Sequence, residues 1–264
     1  MRRMAMNHPE YHRDMIQRNV ADGIVTLRLQ HGKASALDLE LCEELQREFE
    51  AAAESEGVRA LILTGTGTIF SAGVDLPRLV DGGKNYAKNF VAALDAMLQA
   101  LFVFPKPAVA AVNGHAIAGG AIMAFACDYR LMSGGRIGVP EALVGVPFPP
   151  LALEVVRFAV PRQHLQPMVY LAKRIEMAEA KSIGIIDEIV PAEDLLNRAS
   201  AIARQLADIR PADFRLTKRQ IREPYLRDAA AIARASADEI DAQWASPEVH
   251  EHIRAYLAKT LGKR

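Results

Sequence analysis

The sequence predicts an α/β fold built on a mostly parallel sheet, followed by a helical tail. Three observations carry this. Strand-length apolar runs alternate with helix-length amphipathic segments through the first half of the chain. Strand signals nearly vanish after about residue 150. Half of the 264 residues are hydrophobic, enough for a sizeable core in one large domain or a domain with an appendage.

Residues 15–20 and 23–30 read as a hairpin turned at Asp22-Gly23, with a half-regular alternation from Ile24 to Leu29. Residues 38–57 read as a helix, with Asp38 as N-cap and Leu39, Cys42, Leu45, Phe49 and Ala53 as its apolar stripe. Val58 to Leu63 is a short apolar strand ending at Thr64-Gly65. Residues 84–103 form a second helix, stopped before Pro105. Pro107 to Val112 is a strand ending in Asn113-Gly114. Gly119-Gly120 opens a short apolar helix to about Phe125, and Cys127 to Met132 is again strand-like. Parallel strands need crossovers, and these helices supply them.

Helices are expected at 150–160, 162–171, 176–182, 191–209, 211–236 and 248–263, interrupted by the short run Gly184 to Val190. An α/β part therefore occupies residues 1–190, and an all-helical tail occupies 191–264. Ala, Leu and Ile at helical spacing in that tail need a surface to pack on, either the chain's own core or another subunit. No internal repeat or low-complexity tract stands out.

Several function classes lose support. Lys+Arg and Asp+Glu both number 32, so nothing favours a nucleic-acid partner. No apolar run approaches the ~20 residues that span a bilayer, and the basic start lacks the apolar core of a secretory signal. A cytoplasmic protein without membrane partners is the expectation, with Cys42 and Cys127 as reduced, buried thiols. The histidines are scattered, without a His-Glu-x-x-His, so no metal site is expected. His250 and His252 do not share a helix face and read as surface residues. No dinucleotide or Walker fingerprint occurs, and Ser71 does not sit in a nucleophile elbow.

Two segments look like backbone anion sites. Ile69-Phe-Ser-Ala-Gly-Val-Asp-Leu76 follows a strand and a Gly/Thr loop, and Gly73 would leave the Val74 N–H free to face a ligand. Asn113-Gly-His-Ala-Ile-Ala-Gly-Gly-Ala-Ile122 ends a strand and opens a helix, whose first-turn amides are unpaired. Two converging N–H donors make an oxyanion hole; tight turns and close helix packing are the plainer use of such glycines.

The pattern resembles the enoyl-CoA hydratase/isomerase (crotonase) superfamily from about residue 15 to 260. Four pieces carry the resemblance: Gly32-Lys-Ala-Ser-Ala-Leu37, Phe70-Ser-Ala-Gly-Val-Asp-Leu76, Ala111-Val-Asn-Gly-His-Ala-Ile-Ala-Gly-Gly120 and Gly138-Val-Pro-Glu-Ala-Leu-Val-Gly145. It implies a crotonase-like spiral of ββα units, with the helical C-terminal region building homo-trimers or hexamers and closing the pocket. It implies an acyl-CoA thioester substrate, CoA arriving as part of that substrate, and no tightly bound cofactor. The thioester oxygen would lie on the amides of Val74 and Gly119. Ala34, Ala36, Ala72, Asp75 and Leu76 would line the CoA path. Lys33 reads either as a CoA-phosphate contact or as a solvated loop lysine, and Lys218 either as a tail lysine approaching CoA or as a surface residue.

The carboxylates bear on the reaction. Family hydratases place one glutamate three residues after the second oxyanion glycine, where this chain has Ile122; the other falls on Glu141. One carboxylate suits a proton shuttle between two carbons better than the positioning and splitting of water. The expectation is 3-enoyl-CoA to 2-enoyl-CoA isomerisation. The alternatives are hydration, another crotonase-type lyase or hydrolase reaction, or CoA-thioester binding without catalysis. Val146-Pro-Phe-Pro-Pro-Leu-Ala-Leu153 departs from the hydratase pattern, and Phe148 should alter the acyl pocket. The loop 77–90 is expected to bear on the acyl group, and Tyr86 and Asn89, in the helix expected near the pocket, read either as contributors to it or as exposed polar positions.

Overall fold

The computed structural model describes residues 15–261. The hairpin is present: β1 (Ile16–Ala21) pairs antiparallel with β2 (Ile24–Leu29). Asp22 and Gly23 both take positive φ, as a two-residue hairpin turn of this hand requires. Helix α1 (Leu39–Glu54) starts at Asp38, whose carboxylate accepts the Leu41 N–H at 2.9 Å. Its buried face is Leu41, Cys42, Leu45, Phe49 and Ala52, so Leu41 and Ala52 stand where Leu39 and Ala53 were expected.

Three strand–strand–helix units follow. They are β3 (Ala60–Thr64), β4 (Ile69–Ser71) and α2 (Leu76–Phe102); β5 (Ala108–Val112), β6 (His115–Ile117) and α3 (Gly119–Ala126); β7 (Tyr129–Met132), β8 (Arg136–Gly138) and α4 (Glu141–Val144). Two strands come later, β9 (Arg174–Glu176) and β10 (Glu188–Ile189). The first strand of each unit joins a six-stranded sheet ordered β1-β2-β3-β5-β7-β10. It is parallel except at the β1–β2 hairpin. The second strand of each unit joins a four-stranded sheet ordered β4-β6-β8-β9, parallel from β4 to β8. The sequence pointed to one sheet; there are two, because strands of three residues are too short for a period-2 pattern to register.

Six further α-helices follow among the described residues: α5 (Pro150–Ala159), α6 (Arg162–Tyr170), α7 (Met177–Ser182), α8 (Leu195–Ala207), α9 (Pro211–Trp244) and α10 (Pro247–Leu261). Leu195, Ala199, Ile202 and Ala203 of α8 cover one face of the large sheet, over Ile24, Ala60, Ile62, Val109 and Ala111. Helix α9 packs on α5, and α10 packs on α2 and α4. The tail thus folds back on its own chain. The expected loop at 77–90 is helical, part of α2, with a kink at Gly83. No helix among the described residues is long and apolar enough to cross a membrane.

Candidate active site

The small sheet positions the site. Its parallel strands β4, β6 and β8 lie side by side and end at one edge. Three residues past β4 stands Val74; two past β6 stands Gly119; three past β8 stands Glu141. The outer ends of parallel strands are where α/β proteins gather functional groups. Further bonds tie the exits together. Ala118 N–H donates to Gly138 O at 2.9 Å, joining the second exit to the third. Gly73 joins the first to the second: its φ is +79°, and a methyl group there would lie 2.7 Å from both Ala118 Cβ and Ile117 O. Only glycine meets both demands.

Two amides face the resulting cleft. Leu37 bridges to Val74, its N–H donating to Gly73 O at 2.7 Å and its carbonyl accepting from Asp75 N at 2.9 Å. In such a parallel bridge the N–H of Val74 itself points away from Leu37. Gly119 is the first residue of α3, and the helix's first bond runs from Ile122 N–H to Ala118 O. Among the described residues neither the Val74 nor the Gly119 N–H has a hydrogen-bond acceptor. Both residues line a cavity of about 160 Å³.

Glu141 lines the same cavity and is 7% exposed. Its Oε2 has no hydrogen-bond partner among the described residues. Burial pushes its carboxyl up to about 8, and its own backbone N–H only partly offsets this. Among the described residues no other carboxylate lines the cavity. Ile122, one turn into α3, is 3% exposed and forms part of its wall. The remaining wall is apolar: Leu94 and Leu98 from α2, Val144 from α4, Phe148 and Pro149 before α5, Trp244 from α9 and Tyr256 from α10. A fixed donor pair beside one protonatable oxygen in apolar surroundings can stabilise an enolate and move a proton.

A family model for enoyl-CoA hydratase/isomerase matches residues 19–261. The chain belongs to this family. A putative enoyl-CoA hydratase from Thermus thermophilus is 34% identical over 190 residues, 70% of this chain and 75% of the relative. The human mitochondrial delta3-delta2-enoyl-CoA isomerase shares the fold with a TM-score of 0.88, at 23% identity, covering 95% of this chain and 99% of that one. An apo enoyl-CoA isomerase structure from Mycobacterium tuberculosis aligns with a TM-score of 0.78 at 30% identity, covering 87% and 98%. The fold is the crotonase fold, and the protein is an acyl-CoA-processing enzyme of this family.

Within that family frame, Val74, Gly119, Glu141, Ala72 and Leu76 all line the cavity. The loop carrying Lys33, Ala34 and Ala36 runs beside it: Ala72 N–H donates to Ala34 O at 3.0 Å. Lys33 is exposed, and Ala34 and Ala36 are half-buried. The Asp75 side chain caps α2, accepting from Arg78 N at 3.0 Å. Lys218 is not a surface residue. It is 7% exposed, with Nζ 2.6 Å from Asp128 Oδ2 and 3.1 Å from Lys106 O, beside the buried Arg222. Its ammonium serves an internal ion pair and lines no part of the cavity. Burial lowers its pKa to about 8, against the pull of Asp128.

Other expectations also shift. Tyr86 and Asn89 do not reach the cavity: Tyr86 Oη accepts the Leu39 N–H at 3.2 Å, and Asn89 is exposed. Ser71 is fully buried and donates to Ser35 O at 2.7 Å, a structural role. His250 is buried rather than exposed, because its Nε2 donates to the Trp244 carbonyl at 2.9 Å. Cys42 and Cys127 are buried free thiols, with burial raising both pKa values. Trp244 and Tyr256 escaped sequence reasoning. Only the fold-back of α9 and α10 brings them to the cavity, and no local pattern announces it.

Proposed function

We propose that this enzyme isomerises 3-enoyl-CoA thioesters to 2-enoyl-CoA thioesters. The observation that carries the reading is that Glu141 is, among the described residues, the sole carboxylate on a cavity whose wall holds Ile122 rather than a second acid. With the thioester oxygen on the Val74 and Gly119 amides, the Glu141 carboxylate takes a proton from C2. The C–H electrons move into a dienolate whose negative charge rests on that oxygen, where the donors are already in place. The Glu141 carboxyl then returns the proton to C4, and the double bond ends between C2 and C3. One group serves both transfers. Hydration would need water held and deprotonated beside an apolar isoleucine.

The test is incubation with cis-3-hexenoyl-CoA, following the conjugated product by absorbance, beside crotonyl-CoA hydration. The proposal expects rapid conjugation and slow hydration. Fast hydration without conjugation overturns it in favour of a hydratase. Saturable acyl-CoA binding with no turnover would point to a binding protein.

The same reading includes a homo-trimer or a hexamer of paired trimers, with residues 191–264 contributing to assembly as well as closing the pocket. Tyr170 and Leu171, 71% and 67% exposed, supply adjoining apolar surface for such contacts. Light scattering that returns a monomer mass removes this part. CoA would arrive only as part of the substrate, with Lys33 in reach of its phosphates from an exposed loop. A cytoplasmic setting fits two free, buried thiols.

A further inference from the structure

We infer that Trp244 fixes the acyl-chain length this enzyme accepts, and that its substrates carry medium acyl groups of about six carbons. The inference rests on the acyl-CoA reading of the cavity and names the substrate class within it.

The cavity holds about 160 Å³. A dry apolar cavity of ~150 Å³ is enough for benzene, so roughly six carbons fill this one. What matters next is whether the wall can yield. Trp244 is held from several sides. It is 2% exposed at the end of α9. Its Nε1–H donates to Pro147 O at 3.1 Å, and its own carbonyl accepts from His250 Nε2 at 2.9 Å. Its ring lies 6.3 Å from the Phe90 ring, tilted by 56°. Pro147 precedes Phe148 and Pro149, which also line the cavity, and Pro150 opens α5. The indole therefore latches the proline-rich wall to the tail. Swinging it aside for a longer chain would break the bond to Pro147 O and leave that indole donor unpaired in a buried place. The neighbouring Tyr256 differs: it is only half-buried, and its phenol has no partner among the described residues.

The test measures the affinity of saturated acyl-CoAs of increasing length by titration calorimetry. Wild-type affinity should tighten about fourfold per methylene up to roughly six carbons and gain nothing beyond. In Trp244→Ala the tightening should continue to roughly ten carbons, as the vacated indole space fills. Trp244→Phe, which keeps a ring and has the better prospect of folding, should move the break by roughly two carbons. A wild type that gains affinity steadily to long chains overturns the inference. So does either folded variant with the break unmoved. The measurement needs no turnover, so a failed isomerase reading and a failed length limit are separable. If no acyl-CoA binds at all, both fall.

Discussion

The large sheet and the small sheet are built from different residues to different ends. The large sheet's central strands, Ala60–Thr64 and Ala108–Val112, are apolar runs apart from the closing Thr64, every residue buried. They sit between helices on both faces, where α1 and α2 cover one side and α8 the other. The small sheet's strands are three residues each, with a histidine and two arginines among them. Each adds a single apolar residue to the core (Phe70, Ala116, Ile137 and Ile175), and together they fix the exits at Val74, Gly119 and Glu141. Stability resides mainly in the first sheet and geometry in the second. Damage to one should therefore read out as unfolding, and damage to the other as lost rate.

The largest effect should come at the small sheet's edge. Glu141→Gln keeps the shape of the side chain and removes the proton carrier. Isomerisation should fall by about 10²–10⁴. Acyl-CoA affinity should hold within roughly threefold, since the amides and the apolar wall remain. Steady-state rates together with calorimetric binding check both halves. Unchanged turnover would remove Glu141 from the chemistry and with it the meaning given to the small sheet.

A matched pair of substitutions sharpens the contrast. Phe49, fully buried on α1 beneath the large sheet, touches no part of the cavity. Phe49→Ala should cost about 3–5 kcal/mol of stability by denaturant melt. The rate per folded molecule should stay as it was. Gly73→Ala adds one methyl group, at φ +79° and 2.7 Å from Ile117 O, so the two exits must part. The amides then miss the oxyanion, and kcat should drop by about 10²–10³. If Phe49→Ala loses rate while Gly73→Ala loses only stability, the division between the sheets is wrong.

The same division explains what was legible beforehand. Runs such as Ala60–Thr64, bounded by turn residues, have the length and burial that period-based reading detects. So does the Asp38 cap of α1. The ββα repeat leaves no local pattern, because the second strand of each unit is only three residues long; the family resemblance supplies it. The glycines at 73 and 119 could be read as backbone anion sites from local chemistry alone. Glu141 needed the family resemblance, since an isolated glutamate carries no local signature. Lys218 reads from sequence either as a CoA contact or as a solvated position, and neither reading anticipates the ion pair by which Asp128 draws it inward. Trp244 and Tyr256 depend on where α9 and α10 come to rest, which is tertiary information.

The gentlest probe is pH, and it reaches the same carboxyl without a mutation. In the unfolded chain Glu141 titrates near the ordinary glutamate value, and in the folded chain near 8, because burial disfavours its ionised form. A raised acid contributes full stability below the unfolded pKa, and that contribution is lost as pH rises through the folded value. Stability should therefore decline between about pH 4.5 and 8 by on the order of 5 kcal/mol from this group, then level off. Glu141→Gln should lack that decline and be the more stable protein above pH 8. Activity runs the other way. The base that takes the C2 proton must be ionised, so kcat/KM for isomerisation should rise roughly tenfold per pH unit up to about 8 and then flatten. A profile that instead falls through pH 8 would assign Glu141 the role of proton donor in the first step, as a water-adding reaction would use it. Opposite slopes in stability and rate, both abolished by one substitution, would show that the small sheet holds its acid in a place the fold itself disfavours.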